Sequence, residues 1–189
     1  MENTREEYII REALPGDAKA ISALIKDAME YYRSCSGIKP NVLESLSESV
    51  SSVEQRIRRH HCLCVESSGK IIGTITVSYC DNPMKYSFSP QTARTLSKYR
   101  DCAYISRFAV DEAHRDTGLG VLLMNEALRL PVSERSALVL LHTAISNTKM
   151  KDFYCNRGFR VLDSENSRGY ERGLFAIMLD GNGGNNLTA

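Results

Sequence analysis

The stretch from Ala103 to Met124 constrains the fold more than any other. A β-forming run, Ala103 to Val110, leads into a glycine-containing loop, His114 to Gly120. After it, Leu119, Leu122, Leu123, Glu126, Ala127 and Leu130 recur at helical spacing. A helix with so apolar a face must lay it on something, and a strand entering directly through a tight turn supplies a sheet. The stretch therefore predicts a strand–turn–helix unit inside a layered α/β domain.

The rest of the chain extends that unit in both directions. Tyr8 to Arg11 is a short β-rich run, and Pro15-Gly16-Asp17 breaks it, with Asp17 placed to cap a helix. Ile21, Leu24, Ile25, Ala28 and Met29 mark one face of that helix. Ser34 to Pro40 reads as a loop, and Leu43 to Arg59 as a second, more polar helix with a basic end. Cys62 to Glu66 and Ile71 to Val77 form a hairpin across Ser67 to Lys70. Asp81 to Arg100 is an insert, with a short helix between Pro90 and Tyr99. Ala137 to Thr143 is an apolar strand broken only by His142. Asn147 to Asn156 is a helix with Gly158 suited to its left-handed cap, and the runs Phe159 to Leu162 and Arg172 to Leu179 are strands. A hairpin preceding strand–helix units predicts a mixed sheet with helices on both faces. One domain over residues 1–180 accommodates all of this, and the Gly/Asn-rich tail, 181–189, is expected to be disordered.

Composition removes several function classes. Lys and Arg number 24 against 23 for Asp and Glu, a net charge of +1, so no single-sign field favours nucleic acid or an anionic membrane. The polar Met1 to Arg11 segment has no signal-peptide character and no apolar run is long enough to span a bilayer, which predicts a cytoplasmic protein. Six cysteines in such a chain read as buried or half-buried thiols. Cys62 and Cys64 share one face of a strand beside His60 and His61, but no second ligand pair completes a metal site.

The segment Arg115-Asp116-Thr117-Gly118-Leu119-Gly120 is a candidate anion cradle. Its glycines permit close backbone approach, and the helix behind it begins with unpaired amide N–H groups. It is neither a P-loop, lacking Gly-Lys-Ser/Thr, nor a dinucleotide fingerprint, lacking the third glycine and downstream acid. Taken alone, it could be only a tight turn.

Ile105 to Met124 resembles the acyl-CoA motif of the GNAT acyltransferase superfamily, with Arg115, Gly118 and Gly120 in the pattern. Asn147 to Phe159 is similar to the family's late helix and following strand, through Asn147, Tyr154, Gly158 and Phe159. The resemblance runs over roughly residues 8 to 180. It implies a GNAT fold, a mostly antiparallel twisted sheet splayed between its two central strands. It implies acetyl-CoA as donor, an amine as acceptor and no metal, with oligomeric state open and a homodimer usual for the family. Backbone amides from Arg115 through Asp116, Thr117, Gly118 and Leu119 to Gly120 would hold the pyrophosphate. Phe108, Ala109 and Val110 would pair with the pantetheine arm, Asn147 would sit beside it, and Tyr154 would face the sulfur as general acid.

Direct attack by an amine needs a neutral nucleophile, a polarised carbonyl and a protonated leaving group. An N–H of the Phe108 to Val110 strand, that of Ala109, would polarise the carbonyl. The Ala103 to Val110 strand carries no carboxylate, so His142 is the candidate base, with Glu66 or water as alternatives. Cys155 adjoins Tyr154, but consecutive helix residues diverge by about 100°, which disfavours a Cys–His nucleophile. Ser106-Arg107-Phe108 also resembles a segment of acyl-homoserine-lactone and long-chain N-acyl amino acid synthases, although Tyr104 stands where the lactone synthases have an acid. A longer acyl donor and a non-catalytic CoA-binding module therefore remain alternatives.

Overall fold

The computed structural model describes residues 8–133 and 136–179; the proposed tail, 181–189, lies outside the described residues. A seven-stranded sheet organises the chain. Its strands are β1 (Ile9–Glu12), β2 (His61–Ser67), β3 (Lys70–Cys80), β4 (Cys102–Val110), β5 (Leu138–Ala144), β6 (Arg160–Glu165) and β7 (Arg172–Met178), in the order β1-β2-β3-β4-β5-β7-β6. Every neighbouring pair is antiparallel except β4 and β5. That parallel pair is held by only Ala103↔Val139 and Tyr104↔Leu140. Beyond Tyr104 the two strands part, and the sheet opens as the family resemblance implies.

Helices cover both faces. On one face, α5 (Leu119–Ser133) and α6 (Thr148–Cys155) press against β2–β5 and β7. Leu119, Leu123, Met124 and Ala127 from α5 are fully buried there with Ile75, Val77, Leu141 and Phe175. Burying each leucine- or methionine-sized side chain stabilises by roughly 1.5–3 kcal/mol. Leu122, assigned to the same apolar face from its spacing, is instead 50% exposed, so the buried stripe is narrower than the sequence suggests. On the other face, α1 (Ala18–Cys35) and α3 (Val50–Arg59) cover the first strands through Ile21, Ile25, Val53 and Cys64. Further along that face, the insert contributes α4 (Pro90–Leu96), whose Leu96 is buried against Cys102, Leu140 and Leu174.

Two local expectations need correction. The single helix expected over Leu43 to Arg59 is two, α2 (Glu44–Ser47) and α3. Glu48 is extended, at φ −65° and ψ 128°, and the Ser49 side chain caps α3 by accepting from the Ser52 amide. The break frees the Glu48 carboxylate to reach Arg56 and Arg107, which a continuous helix would deny it. Asp17 does not cap α1 with its side chain. Its carboxylate accepts from the Leu14 amide and from Arg11, tying the turn before α1 to β1. The Arg11 guanidinium holds the Asp17 carboxyl below the usual carboxylate range.

Candidate active site

The parting of β4 and β5 creates a cleft of about 430 Å³. Its walls come from β4 (Tyr104 through Val110), β5 (Leu141 to Thr143), α6, the Arg115 turn and the C-terminal half of α1. The end of α1 is stitched across the opening. The Ala144 amide donates to the Tyr32 hydroxyl at 2.6 Å, Asn147 Nδ2 donates to Ser36 Oγ at 3.0 Å, and Ser146 donates to the Ser36 carbonyl at 2.8 Å. These bonds hold the cleft open as a built feature.

At one end lies the glycine turn. Gly118 has φ +90° and Asp116 φ +63°, a left-handed path that glycine adopts without strain and aspartate tolerates. Asp116 is further pinned by Lys149, at 2.8 Å. Among the described residues, the amides of Asp116, Thr117, Gly118, Leu119 and Gly120 make no hydrogen bond within the chain; the first bonded amides are Val121 and Leu122, both to the Gly118 carbonyl. A run of unpaired donors at a helix N-terminus is an anion site. Gly120 serves by its size: a Cβ there would stand 3.2 Å from the Phe108 ring and intrude on the stacked Phe108–Phe153 pair. Arg115 lies with its guanidinium 4.1 Å over the Tyr31 ring, at the lip of the cleft.

The middle of the cleft is the free edge of β4. Past Tyr104 that edge has no ladder partner among the described residues. On its other edge, Thr74 pairs with Ala109 and Thr76 with Ser106, so Arg107 and Phe108 together stand opposite Ile75. This is a β-bulge, and Arg107 takes φ +53° within it. Nothing in the residue types flagged the bulge, since arginine has no preference for that conformation. The Arg107 side chain leaves the sheet and donates to Glu48 Oε2 at 3.0 Å.

Tyr154 is 6% exposed and lines the cleft from α6. Its ring packs edge-on against Phe153 and Phe159. Among the described residues its hydroxyl has no hydrogen-bond partner, and burial pushes its pKa well above the ordinary tyrosine value. Cys155, the next residue, is exposed on the other side of the helix. Asn147 is the N-cap of α6: its Oδ1 accepts from the Met150 amide while its Nδ2 reaches Ser36.

His142 lines the cleft from β5, but both ring nitrogens are engaged. Nε2 lies 3.1 Å from the Tyr86 carbonyl, which can only accept, so Nε2 carries the proton. Nδ1 therefore accepts from the Tyr104 hydroxyl, at 2.8 Å. Burial and the nearby Arg172 lower the His142 pKa to about 4, and burial raises that of Tyr104 to about 12. Neutral histidine with its lone pair occupied orients a neighbour better than it accepts a proton. Glu66 lies on β2 outside the cleft, in an ion pair with Arg11 at 2.9 Å. Cys62 and Cys64 are buried under α1 and α3, and among the described residues no group of His, Cys, Asp and Glu could hold a metal. No helix among them is long and apolar enough to cross a membrane.

The fold coincides with what comparisons with known proteins find. The family model for "Acetyltransferase (GNAT) family" matches residues 21–159. The chain belongs to the GNAT acetyltransferase family and is, as a class, an acyltransferase. Among solved structures it is similar to the PaiA N-acetyltransferase of Thermoplasma acidophilum in complex with coenzyme A, at TM-score 0.68 and 16% identity, covering 90% of this chain and 98% of that one. It is similar also to Ard1 of Thermoplasma volcanium, at TM-score 0.64 and 21% identity over 92% and 98% of the two chains. A GNAT acetyltransferase of Listeria monocytogenes aligns at TM-score 0.67 and 20% identity over 95% and 99%. Identities this low establish a shared fold. A search of curated proteins finds no match.

Proposed function

We propose that the protein transfers an acetyl group from acetyl-CoA to a primary amine by direct attack within a ternary complex. The observation that carries this reading is the run of unbonded amides from Asp116 to Gly120 at one end of a cleft whose other walls hold Tyr154 and Tyr104. The amides and the helix dipole suit a pyrophosphate. The unpaired β4 edge from Phe108 through Ala109 to Val110 suits the amide-bearing pantetheine arm, with Asn147 at the α6 end beside it. The coenzyme A bound to the Thermoplasma acidophilum protein supports this donor.

The residues then divide the chemistry. The β4 backbone at the bulge offers the Phe108 N–H to the carbonyl oxygen as it gains charge, the Ala109 amide facing β3 as the Asp111 amide does. The Tyr104 proton is committed to His142, so only oxygen lone pairs of Tyr104 remain for the cleft. Those can accept an N–H from the attacking amine and orient it; His142 thereby acts through Tyr104. Tyr154, kept protonated by burial, donates to the departing sulfur. The neutral amine attacks, the C–N bond forms, the C–S bond breaks with coenzyme A leaving as its thiolate, and the proton lost by nitrogen passes to water. A thiol near pKa 8.5 is a stronger acid than Tyr154, so Tyr154 keeps its own proton and stabilises the departing thiolate by a hydrogen bond.

Calorimetric titration of acetyl-CoA into the protein, followed by thiol release with an amine panel and acyl-CoAs of increasing length, tests this reading. Saturable acetyl-CoA binding and amine-dependent thiol release that falls with acyl length are expected. Absence of acetyl-CoA binding would remove the assignment.

A further inference from the structure

A second depression, of about 380 Å³, opens on the β3–β4 face below α3. The chemistry described above leaves it unused. Three guanidinium groups line it, those of Arg56, Arg59 and Arg107, against the single carboxylate of Glu48. Glu48 Oε2 accepts from Arg56 Nη2 at 2.7 Å and from Arg107 Nε at 3.0 Å, so one carboxylate oxygen serves two cations. Arg59 makes no ion pair among the described residues. The Arg56 side chain is only 11% exposed, and among the described residues its buried Nε has no acceptor. An N–H left in that state is costly. Burial holds Arg56 below the usual arginine range, and burial with Arg56 and Arg59 holds His60 below the usual histidine value. The His60 shift agrees with a pocket rich in positive charge. Ser52, Thr76 and Ser78 add neutral hydroxyls.

The pocket adjoins the main cleft, because Tyr104, Ser106 and Arg107 line both. Arg107 is also the bulge residue, so the pocket begins where the thioester carbonyl would lie. We infer that the acceptor is an amine bearing a carboxylate, of amino-acid or short-peptide size. Its carboxylate sits between Arg56 and Arg59, and its amine passes Ser106 to reach Tyr104. Guanidinium groups recognise carboxylates with charge-assisted, two-point geometry and repel a second cationic centre. A polyamine is thereby disfavoured. The inference rests on the acyltransferase reading and deepens it.

The test uses the full chain, with acetyl-CoA binding measured first. Thiol release is then compared for free amino acids and dipeptides, for the same compounds as α-amides, and for spermidine. The acids are expected to exceed their amides in kcat/KM by about ten- to hundredfold, the value of one charged hydrogen-bonded contact. In Arg59→Gln, a surface change that leaves the fold intact, that ratio should collapse towards one while the acetyl-CoA titration is unchanged. Arg59→Lys should restore part of it. Equal rates for acids and amides, preference for spermidine, or binding of acetyl-CoA with no acid acceptor turned over would each overturn the carboxylate assignment alone. No binding of acetyl-CoA would overturn both readings.

Discussion

The two ends of the cleft are built from different materials. The end proposed for the donor is backbone: unbonded amides from Asp116 to Gly120, and a strand edge from Phe108 to Val110. The end proposed for the acceptor is side chain: Tyr104 on His142, Glu48 between Arg56 and Arg107, with His142 and Arg107 each reached across long stretches of sequence. Backbone recognition depends on path and is tolerant of which residues trace it. Side-chain recognition depends on identity and charge. The difference predicts that the donor end fails when the chain path changes, and the acceptor end when a single atom or proton does.

The largest effect should come from Gly118→Glu. A Cβ at Gly118 meets nothing within 4 Å, so the substitution causes no clash; the damage comes from φ +90° and from a carboxylate placed among donors meant for phosphate. Left-handed strain of about 1–2 kcal/mol and an opposed charge worth a similar or larger amount together predict about a thousandfold loss of CoA affinity. Gly118→Ala, with the strain alone, should lose about tenfold. Isothermal titration of both variants measures the split, and equal losses would show that path alone matters.

Next in size is an acid lability confined to the acceptor wall. The folded-state pKa of His142, about 4, lies below its ordinary 6.5. The unfolded chain therefore binds the proton more tightly. The stability that His142 lends is present above pH 6.5 and is lost as pH falls towards 4, by about 3 kcal/mol in total. Carboxylates such as Asp17 and Asp163, held below their ordinary values, add their own acid loss at lower pH. Denaturant unfolding at pH 7 and pH 4.5, for wild type and His142→Gln, isolates the histidine: the variant should lose less stability on acidification. The same loss in both proteins would place the lability elsewhere.

What could be read in the sequence follows the same division. The glycine turn and its helix, the early hairpin and the late helix closed by Gly158 were legible because each is local: a few adjacent residue types set φ, a cap or a periodicity. The bulge at Arg107 was not, because a left-handed arginine in mid-strand is imposed by its surroundings. The break at Glu48 was hidden for a related reason. Leu46, Val50, Val53 and Ile57 keep helical spacing across it, and only the Ser49 cap and the Glu48 contacts to Arg56 and the distant Arg107 show why the helix stops. The tautomer of His142 depends on a carbonyl at Tyr86, in an insert whose position no local pattern gives. The acceptor end is thus the part that tertiary structure alone assembles.

Tyr154 stands where the two materials meet. Tyr154→Phe keeps the ring packed on Phe153 and Phe159 and removes one hydroxyl, so CoA affinity should hold within about twofold while kcat falls about a hundredfold. Steady-state rates beside a CoA titration separate the two. An unchanged kcat would take the sulfur-facing role away from this hydroxyl.

The smallest effect should come from Arg115→Ala, although this is the most conspicuous charge in the turn. Its guanidinium lies over the Tyr31 ring at the lip of the cleft and its Nε is 3.4 Å from the Val110 carbonyl. A partly solvated cation at that distance from fixed dipoles contributes a screened attraction, worth less than about 1 kcal/mol, so CoA affinity should fall about threefold at low ionic strength. The difference between wild type and variant should shrink as salt rises, because ions screen the side-chain charge and leave the aligned amides in place. Titrations at two salt concentrations measure this directly. A loss of a hundredfold that salt does not diminish would mean that the arginine, and not the chain path behind it, holds the phosphates.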